Sequence, residues 1–405
     1  SIDIEKGIST IKLTDVAQHI DPTSVHIGID GEVLEQNYQY DLVSIGKILE
    51  KYLDKNIQLI NDKGDLLEGK LLTANSNQIV LQKKDGGLLM LPNTNKYQIS
   101  VSKLPEGFIT KPTLVWMVKS PNNGNQDVEV SYQTSGMDWH AEYVAVLNND
   151  DSKLDLNSWV SIDNNSGATF KDAKLKLIAG DVNLVRNQRN NFPKMQREAL
   201  YAVADAAPQF EEKEFFEYHI YNLQRPTTLR NNETKQISLF EAQNVKANKR
   251  YLYKGNHNGK VDVVIEFSND EENNLDIPMP KGKVRVYKSD GDAIEFIGED
   301  LIDHTPKEEV VKLKIGEAFD IVVNDVLTEN NKISNKVYEQ EYEITIKNKK
   351  RDDIVVDVER MVVANWEILY SSIDYKKVNS NEVLFKVPVK AESKTVLKYK
   401  VRYSY

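Results

Sequence analysis

The sequence predicts a mostly β protein: a multi-domain β-sandwich architecture with a small SH3-like or Sm-like barrel inserted near its start and one or two short helices. Runs of alternating or β-branched residues recur along the whole chain, for example at 143–147, 261–267, 342–346 and 395–403. Asn, Asp, Gly and Pro separate most of these runs, which is typical of antiparallel strands joined by short turns. At about 150 residues per domain, the length of 405 residues corresponds to two or three domains.

The first domain, residues 1–111, is predicted to be a β domain that is incomplete at its start and carries one helix. Asp41 is placed at the N-cap of a helix over 41–53, because apolar residues such as Leu42, Ile45 and Leu49 fall on one helical face. Several short runs with strand character follow in 54–101, and Gly69 lies where a bulge would bend one of them. Short, bent strands in so few residues predict a small barrel, which is either a structural insertion or a binding module.

Two further domains are predicted downstream. Residues 112–254 form a middle β domain, and residues 255–405 form a C-terminal β-sandwich. Within the middle domain, residues 186–215 are polar, contain Pro193 and Pro208, and lack strand alternation. This segment is predicted to be a long excursion between strands, partly helical.

Composition narrows the function classes. The chain has 52 Lys and Arg against 62 Asp and Glu, a net charge of −10, and no long basic cluster, which argues against nucleic-acid binding. No stretch approaches the roughly 18 apolar residues of a membrane helix, so no transmembrane segment is predicted. The absence of cysteine excludes disulfides, thiolate catalysis and cysteine-ligated zinc. The 37 asparagines indicate a nucleotide-composition bias of the source rather than chemistry.

A set of short blocks marks the middle and the end of the chain. The most distinctive is Ser135-Gly136-Met137-Asp138-Trp139-His140-Ala141-Glu142-Tyr143, and the others are 159–167, 175–180, 221–229, 298–300, 304–306, 315–320 and 366–368. In their order and spacing these blocks resemble the bacterial DUF4139 family, sometimes labelled mucoidy-inhibitor-like, over residues 112–405. Residues 16–25 resemble the leader of the same proteins. Family members usually open with another strand before the equivalent of Lys6-Gly7, so we expect this sequence to start inside that first domain. It carries the barrel-like segment instead of the paired coiled-coil helices that some relatives insert.

The resemblance implies β-rich domains that are usually exported in bacteria, with no catalytic residues to carry over. The sequence also lacks the nucleophile-elbow, His-Glu-x-x-His, Walker and dinucleotide-binding motifs, so no cofactor is expected. We therefore expect a secreted, periplasmic or outer-membrane-associated protein that acts as a non-catalytic binding or scaffolding module for an envelope protein, a peptide or a glycan.

Two alternatives belong to other classes. One is a hydrolase of envelope glycans or peptides that uses carboxylates such as Asp138 and Glu142 in an inter-domain cleft. The other is a module that captures peptides along a free sheet edge, which requires an edge strand without Lys or Pro.

Four residues are candidates for binding: Trp139, His140, Tyr143 and Arg225. Trp139 and Tyr143 share a strand face with Ala141 between them, so that the small alanine leaves a slot for a sugar or peptide; alternatively, the three side chains fill a sandwich core. His140 is a strand-surface histidine, or with His219 and a carboxylate a metal ligand, and no metal site is predicted. Arg225 either has a structural role at the turn before Pro226 or binds an anion.

Overall fold

The computed structural model of the protein describes residues 1–40, 44–75, 78–92, 96–103, 105, 110–180, 209–215, 218–255, 259–291, 293–363 and 365–405. The predicted mostly β fold is confirmed. The strands up to residue 179 are β1 (Ile2–Ile4), β2 (Gly7–Thr14), β3 (His26–Gly28), β4 (Glu32–Gln39), β5 (Asn56–Asn61), β6 (Leu66–Asn75), β7 (Gln78–Gln82), β8 (Leu88–Leu91), β9 (Tyr97–Ser100), β10 (Thr113–Ser120), β11 (Gly124–Gln126), β12 (Glu129–Ser131), β13 (Met137–Leu147), β14 (Lys153–Asn164), β15 (Phe170–Ala173) and β16 (Lys176–Ala179).

The strands after residue 209 are β17 (Phe210–Phe215), β18 (Tyr218–Leu223), β19 (Thr227–Leu229), β20 (Glu233–Lys246), β21 (Asn248–Tyr253), β22 (Asp262–Ser268), β23 (Gly282–Ser289), β24 (Ile294–Ile302), β25 (Val310–Glu317), β26 (Ile321–Lys332), β27 (Val337–Asn348), β28 (Ile354–Met361), β29 (Asn365–Ser371), β30 (Tyr375–Asn379), β31 (Glu382–Val389) and β32 (Lys394–Ser404). The described residues contain one α-helix, α1 (Ile45–Lys51), which lies between β4 and β5. No helix in the described ranges is long and apolar enough to cross a membrane.

The chain divides into two compact units. The first contains residues 1–137, 163–171 and 228–233. Its three-stranded sheet has the order β2-β10-β4, and the indole of Trp116, at the centre of β10, is completely buried and donates a hydrogen bond to Gln36 Oε1 at 2.8 Å. Trp116 belongs to a hydrophobic core that also contains Ile11, Leu114 and Val118.

The segment between β4 and β10 has a separate core. Leu49 and Tyr52 from the end of α1 pack with Leu59, Leu71 and Leu81 from the strands that follow. The five strands are antiparallel in the order β8-β7-β6-β5-β9. We call α1 together with β5–β9 the inserted module.

The strands predicted in the inserted module are present. Among the described residues β8 and β9 pair with β7 and β5 only, so no hydrogen-bonded ladder closes the predicted small barrel. The described ladders of this sheet contain one register shift, between Leu71 and Thr73. Gly69, where a bulge was predicted, allows β6 and β7 to approach each other closely, because a Cβ there would lie 2.7 Å from the carbonyl oxygen of Gln82. The helix begins after Ser44, whose side chain accepts from the Lys47 amide, and the predicted N-cap Asp41 lies outside the described residues.

The second unit contains residues 138–162, 172–227 and 234–405. It includes a five-stranded sheet, β20-β14-β13-β23-β24, and a three-stranded sheet, β16-β18-β17. A six-stranded sheet, β25-β22-β21-β28-β31-β30, and a four-stranded sheet, β26-β27-β32-β29, share one core around Val356, Phe385 and Tyr399. Strand β21 precedes residue 255, where the last domain was predicted to start, yet it belongs to the six-stranded sheet; the domain boundaries stay predictions. Of the predicted excursion, residues 186–208 lie outside the described residues, and its last residues form β17, which pairs with β18.

Candidate functional site

Strand β13 places Trp139, Ala141 and Tyr143 on one face, as the alternation of the sequence predicts. Trp139 is half-buried, whereas Ala141 and Tyr143 are completely buried. The Tyr143 hydroxyl donates to the carbonyl oxygen of Pro280 at 2.6 Å, and burial, together with the proximity of Tyr221, raises the pKa of Tyr143 well above its ordinary value. A completely buried ring has no surface to offer a ligand arriving from solvent, so Tyr143 has the environment of a core residue.

The space beside Ala141 is occupied by the neighbouring strand. Ala141 pairs with Gly282 in the parallel ladder of β13 and β23. A Cβ on Gly282 would lie 2.1 Å from the Ala141 carbonyl oxygen and 3.0 Å from the ring of Tyr143. The small residues at 141 and 282 therefore allow two strands to approach closely, and the slot proposed for a sugar or peptide is filled by backbone.

The opposite face of β13 carries His140 and Glu142. His140 Nε2 lies 3.5 Å from Glu142 Oε1, and the other carboxylate oxygen of Glu142 lies 3.6 Å from Arg285 Nη1 and accepts from Gln236 at 3.2 Å. Glu142 is thus held in a polar row that crosses the sheet. Asp138 is exposed, four residues away along the same strand, so its Cα lies about 14 Å from that of Glu142. Glycosidase carboxylates are roughly 5 to 10 Å apart, and this strand spacing does not favour such a pair.

Arg225 and His219 have partners of their own. The Arg225 guanidinium donates twice to Gln209 Oε1, at 3.1 and 2.7 Å, on an exposed turn after β18. His219 Nδ1 lies 2.8 Å from Glu212 Oε1 on the adjacent strand β17. Among the described residues, no hydrogen bond or ion pair joins Arg225 or His219 to the residues of β13. Within the same ranges, no three His, Asp or Glu side chains are placed to hold a metal ion.

A site that sequence reasoning missed lies in the inserted module. A cleft of about 700 Å³ is bordered by Lys51 at the end of α1, Lys55 just before β5, and Lys103 after β9. We call it the lysine cleft. The three ammonium groups are exposed, and none has an ion-pair partner among the described residues.

Tyr52 fixes the position of these lysines. It ends α1 in the module core, its hydroxyl donates to the Lys103 carbonyl at 2.6 Å, and the same oxygen accepts from the Lys103 amide at 3.0 Å. The Lys55 ammonium lies 5.6 Å from the centre of the Tyr52 ring. The hydrogen bond with Ser102, then that with Lys103, and the positive charges of Lys55 and Lys103 lower the pKa of Tyr52. Lysines from two separate parts of the chain thus create a positive potential at one phenol.

The floor of the lysine cleft consists of polar side chains that can form hydrogen bonds. Gln58 of β5 is paired with Ser100 on one side and with Glu68 on the other, and all three line the cleft. Among the described lining residues Glu68 is the one carboxylate, and it lies 3.9 Å from the exposed Lys84. Three lysines with one glutamate in this described lining suit an anionic ligand. The described lining contains no pair of carboxylates for acid and base catalysis.

The signal for this cleft was weak in the sequence. Lys51 and Lys55 are four residues apart in the sequence, but Lys103 approaches them only because β5 and β9, far apart in the chain, pair with each other. Pairing of distant strands cannot be read from alternation alone.

Comparison with known families gives one match. The family described as "Domain of unknown function (DUF4139)" matches residues 128–405. No curated protein matches the chain. The lysine cleft lies before residue 128, outside the matched stretch.

Proposed function

This chain belongs to the DUF4139 family, and on that premise we propose that it is a non-catalytic binding or scaffolding protein of the bacterial cell envelope, whose lysine cleft holds an anionic segment of its partner. The observation that carries this proposal is the cleft itself: three lysines without an ion-pair partner among the described residues, around a floor of hydrogen-bonding side chains. Envelope localisation is supported by the resemblance read from the sequence blocks.

The acidic balance of the whole chain does not cancel the local charge of the cleft. Charges are screened over about 8 Å at about 0.15 M salt, so a ligand in the cleft responds to the nearby lysines rather than to the net charge of −10. An exposed ion pair contributes about 0.2 to 1 kcal/mol, so three together raise the affinity roughly three- to hundredfold. The proposal therefore requires a polyvalent anion.

The test is the binding of polyglutamate and polygalacturonate to the full chain, measured by titration calorimetry. The variant K51E/K55E/K103E is expected to weaken binding by about tenfold or more. The matched control is K12E/K63E/K119E, which makes the same charge change at exposed lysines without a described ion-pair partner. Its affinity should equal that of the unaltered chain.

Equal losses in the two variants, or no binding of either polyanion, would overturn the proposal. The hydrolase alternative is tested with the same protein on glycan, peptide and ester substrates. Turnover that is lost when Asp138 is changed to Asn or Glu142 to Gln would favour the hydrolase alternative over the binding function.

A further inference from the structure

The lysine cleft lies beside a sheet edge that has no partner strand in the described part of the chain. Strand β9, Tyr97–Ser100, is the last strand of the inserted module's sheet and pairs only with β5 among the described residues. It contains neither Lys nor Pro, the residues that commonly protect edges from further pairing. Some other edges carry lysines, such as β25 with Lys312 and Lys314 and β30 with Lys376 and Lys377. The opposite edge of the same sheet, β8, also contains neither Lys nor Pro, so the adjoining lysine cleft is what distinguishes β9.

The alternation of β9 directs one of its faces to the cleft. Tyr97 and Ile99 pack against the module core, so Gln98 and Ser100 point the other way. Ser100 is paired with Gln58, and both line the lysine cleft, which continues along the chain through Ser102 to Lys103. A strand added next to β9 would lie about 4.8 Å from it and place every second side chain on the cleft side.

We propose that the partner segment is an extended acidic peptide that adds to β9 as a sixth strand and directs alternate carboxylates towards the lysine cleft. This inference rests on the proposed function and names its ligand. The backbone of β9 supplies hydrogen bonds that are independent of sequence, and the lysines supply selectivity for acidic side chains. A peptide is favoured over a glycan or a nucleic acid because it alone has a backbone that continues the ladder.

The test compares two peptides of identical charge with the full chain. One alternates Glu with Thr or Val; the other has the same sequence with N-methyl groups on alternate backbone nitrogens, which removes the donors needed for pairing. The first is expected to bind about tenfold or more tightly than the second, and K51E/K55E/K103E should weaken it while K12E/K63E/K119E does not.

Hydrogen exchange locates the bound peptide. Amides within Tyr97–Ser100 should become protected on binding. Those of Leu88–Leu91, the opposite edge of the same sheet, serve as the internal control and should exchange unchanged.

The outcomes separate the two proposals. Equal affinity for the N-methylated peptide, or protection at β8 instead of β9, overturns strand addition and leaves anion binding standing. If polygalacturonate or a single-stranded oligonucleotide binds more tightly than the acidic peptide, the proposal that the ligand is a peptide is wrong. Failure of every polyanion to bind overturns the proposed function itself.

Discussion

At the scale of single residues, two buried asparagines make almost the same set of contacts. The Asn164 side-chain amide donates to the carbonyls of Ala168, Leu229 and Arg230 at 2.9, 3.1 and 3.0 Å. The Asn348 side-chain amide donates to those of Asp352, Val389 and Lys390 at 2.8, 3.4 and 3.1 Å. In each case Oδ1 accepts the backbone amide two residues later, that of Ser166 or Lys350. Each asparagine thus ties its own turn to a distant loop.

Asn164→Ala is expected to lower the free energy of unfolding by about 3 kcal/mol, because several buried backbone groups lose their partner at once. The neighbouring Asn165 is exposed, and Asn165→Ala is the matched control, with an expected change within about 0.5 kcal/mol. Urea denaturation measures both. Equal effects of the two substitutions would show that the contacts of Asn164 are not what holds the turn.

Asp151 supplies a pH-dependent contribution. Its carboxylate, 11% exposed, contacts the ammonium groups of Lys249 and Lys288. Burial raises the pKa of Asp151, but the hydrogen bonds and charges of the two lysines outweigh burial, so the pKa lies below its ordinary value. A pKa lowered by folding contributes stability above the unfolded-state value of about 3.9, and this stability is lost as pH falls through the folded-state pKa.

Asp151→Asn should therefore cost about 2 kcal/mol at neutral pH, and the difference from the unaltered chain should shrink as the pH falls below about 4. Denaturation measured at several pH values gives this curve. Asp290→Asn is the control, because that carboxylate is exposed and has no described partner. A difference that grows as pH falls would contradict the sign of the shift.

At the scale of secondary-structure elements, the two asparagines lie in a strand arrangement that occurs twice. Strand β14 ends at Asn164 and lies between β13 and β20, while β15 pairs with β19. Strand β27 ends at Asn348 and lies between β26 and β32, while β28 pairs with β31. The order along the chain is the same in both sets. The sequence did not reveal this repeat, because alternation predicts strands without saying which of them are neighbours.

The inserted module enters and leaves its host sheet at one place. Gln39, the last residue of β4, is paired with Thr113, the first residue of β10. The host core around Trp116 and the module core around Leu59 share no residue. Strand patterns alone suggest removing only the strands of the module, after Tyr52. Because Tyr52 belongs to the module core, such a deletion would divide that core.

Replacing residues 41–111 by Asn-Gly, a two-residue turn suited to a hairpin, should leave the rest of the protein folded. The expected loss is small, about 0 to 1 kcal/mol for the exposed pair of Lys111 with Asp15. Thermal unfolding followed by circular dichroism should retain its cooperative transition. Loss of that transition would show that the module is integral to the remaining fold.

Prediction from sequence succeeded where one local pattern decides the structure. The runs at 143–147 and 395–403 lie within β13 and β32, because alternation over several residues marks a half-buried strand. It failed where the deciding contact is remote. Residues 164 and 165 are both asparagine. Only their positions at the end of β14 decide that Asn164 is buried and hydrogen-bonded to a distant loop, whereas Asn165 is exposed. The interpretation of the asparagines as a compositional bias therefore missed the structural role of Asn164 and Asn348.

At the scale of the whole molecule, the family and the candidate site occupy different parts of the chain. The DUF4139 match covers 128–405, which confirms the resemblance read from the sequence blocks. The lysine cleft lies in the inserted module before it. None of the four candidates from the family blocks is among the described residues that line the cleft. Tyr143 is buried, His140 lies beside Glu142, Arg225 binds Gln209, and Trp139 is half-buried on β13. We therefore expect the inserted module to determine which partner is bound.

The central claim, that the lysine cleft is the binding site, is tested most directly by lysine footprinting of the unaltered chain. Acetylation rates of Lys51, Lys55 and Lys103 are measured by mass spectrometry with and without saturating acidic peptide, with Lys12, Lys63 and Lys119 as internal references. We expect labelling of the three cleft lysines to slow about fivefold or more, because an ion-paired ammonium beneath a bound strand is shielded from the reagent, while labelling of the reference lysines is unchanged. Unchanged rates at the cleft, or protection confined to lysines elsewhere, would contradict it.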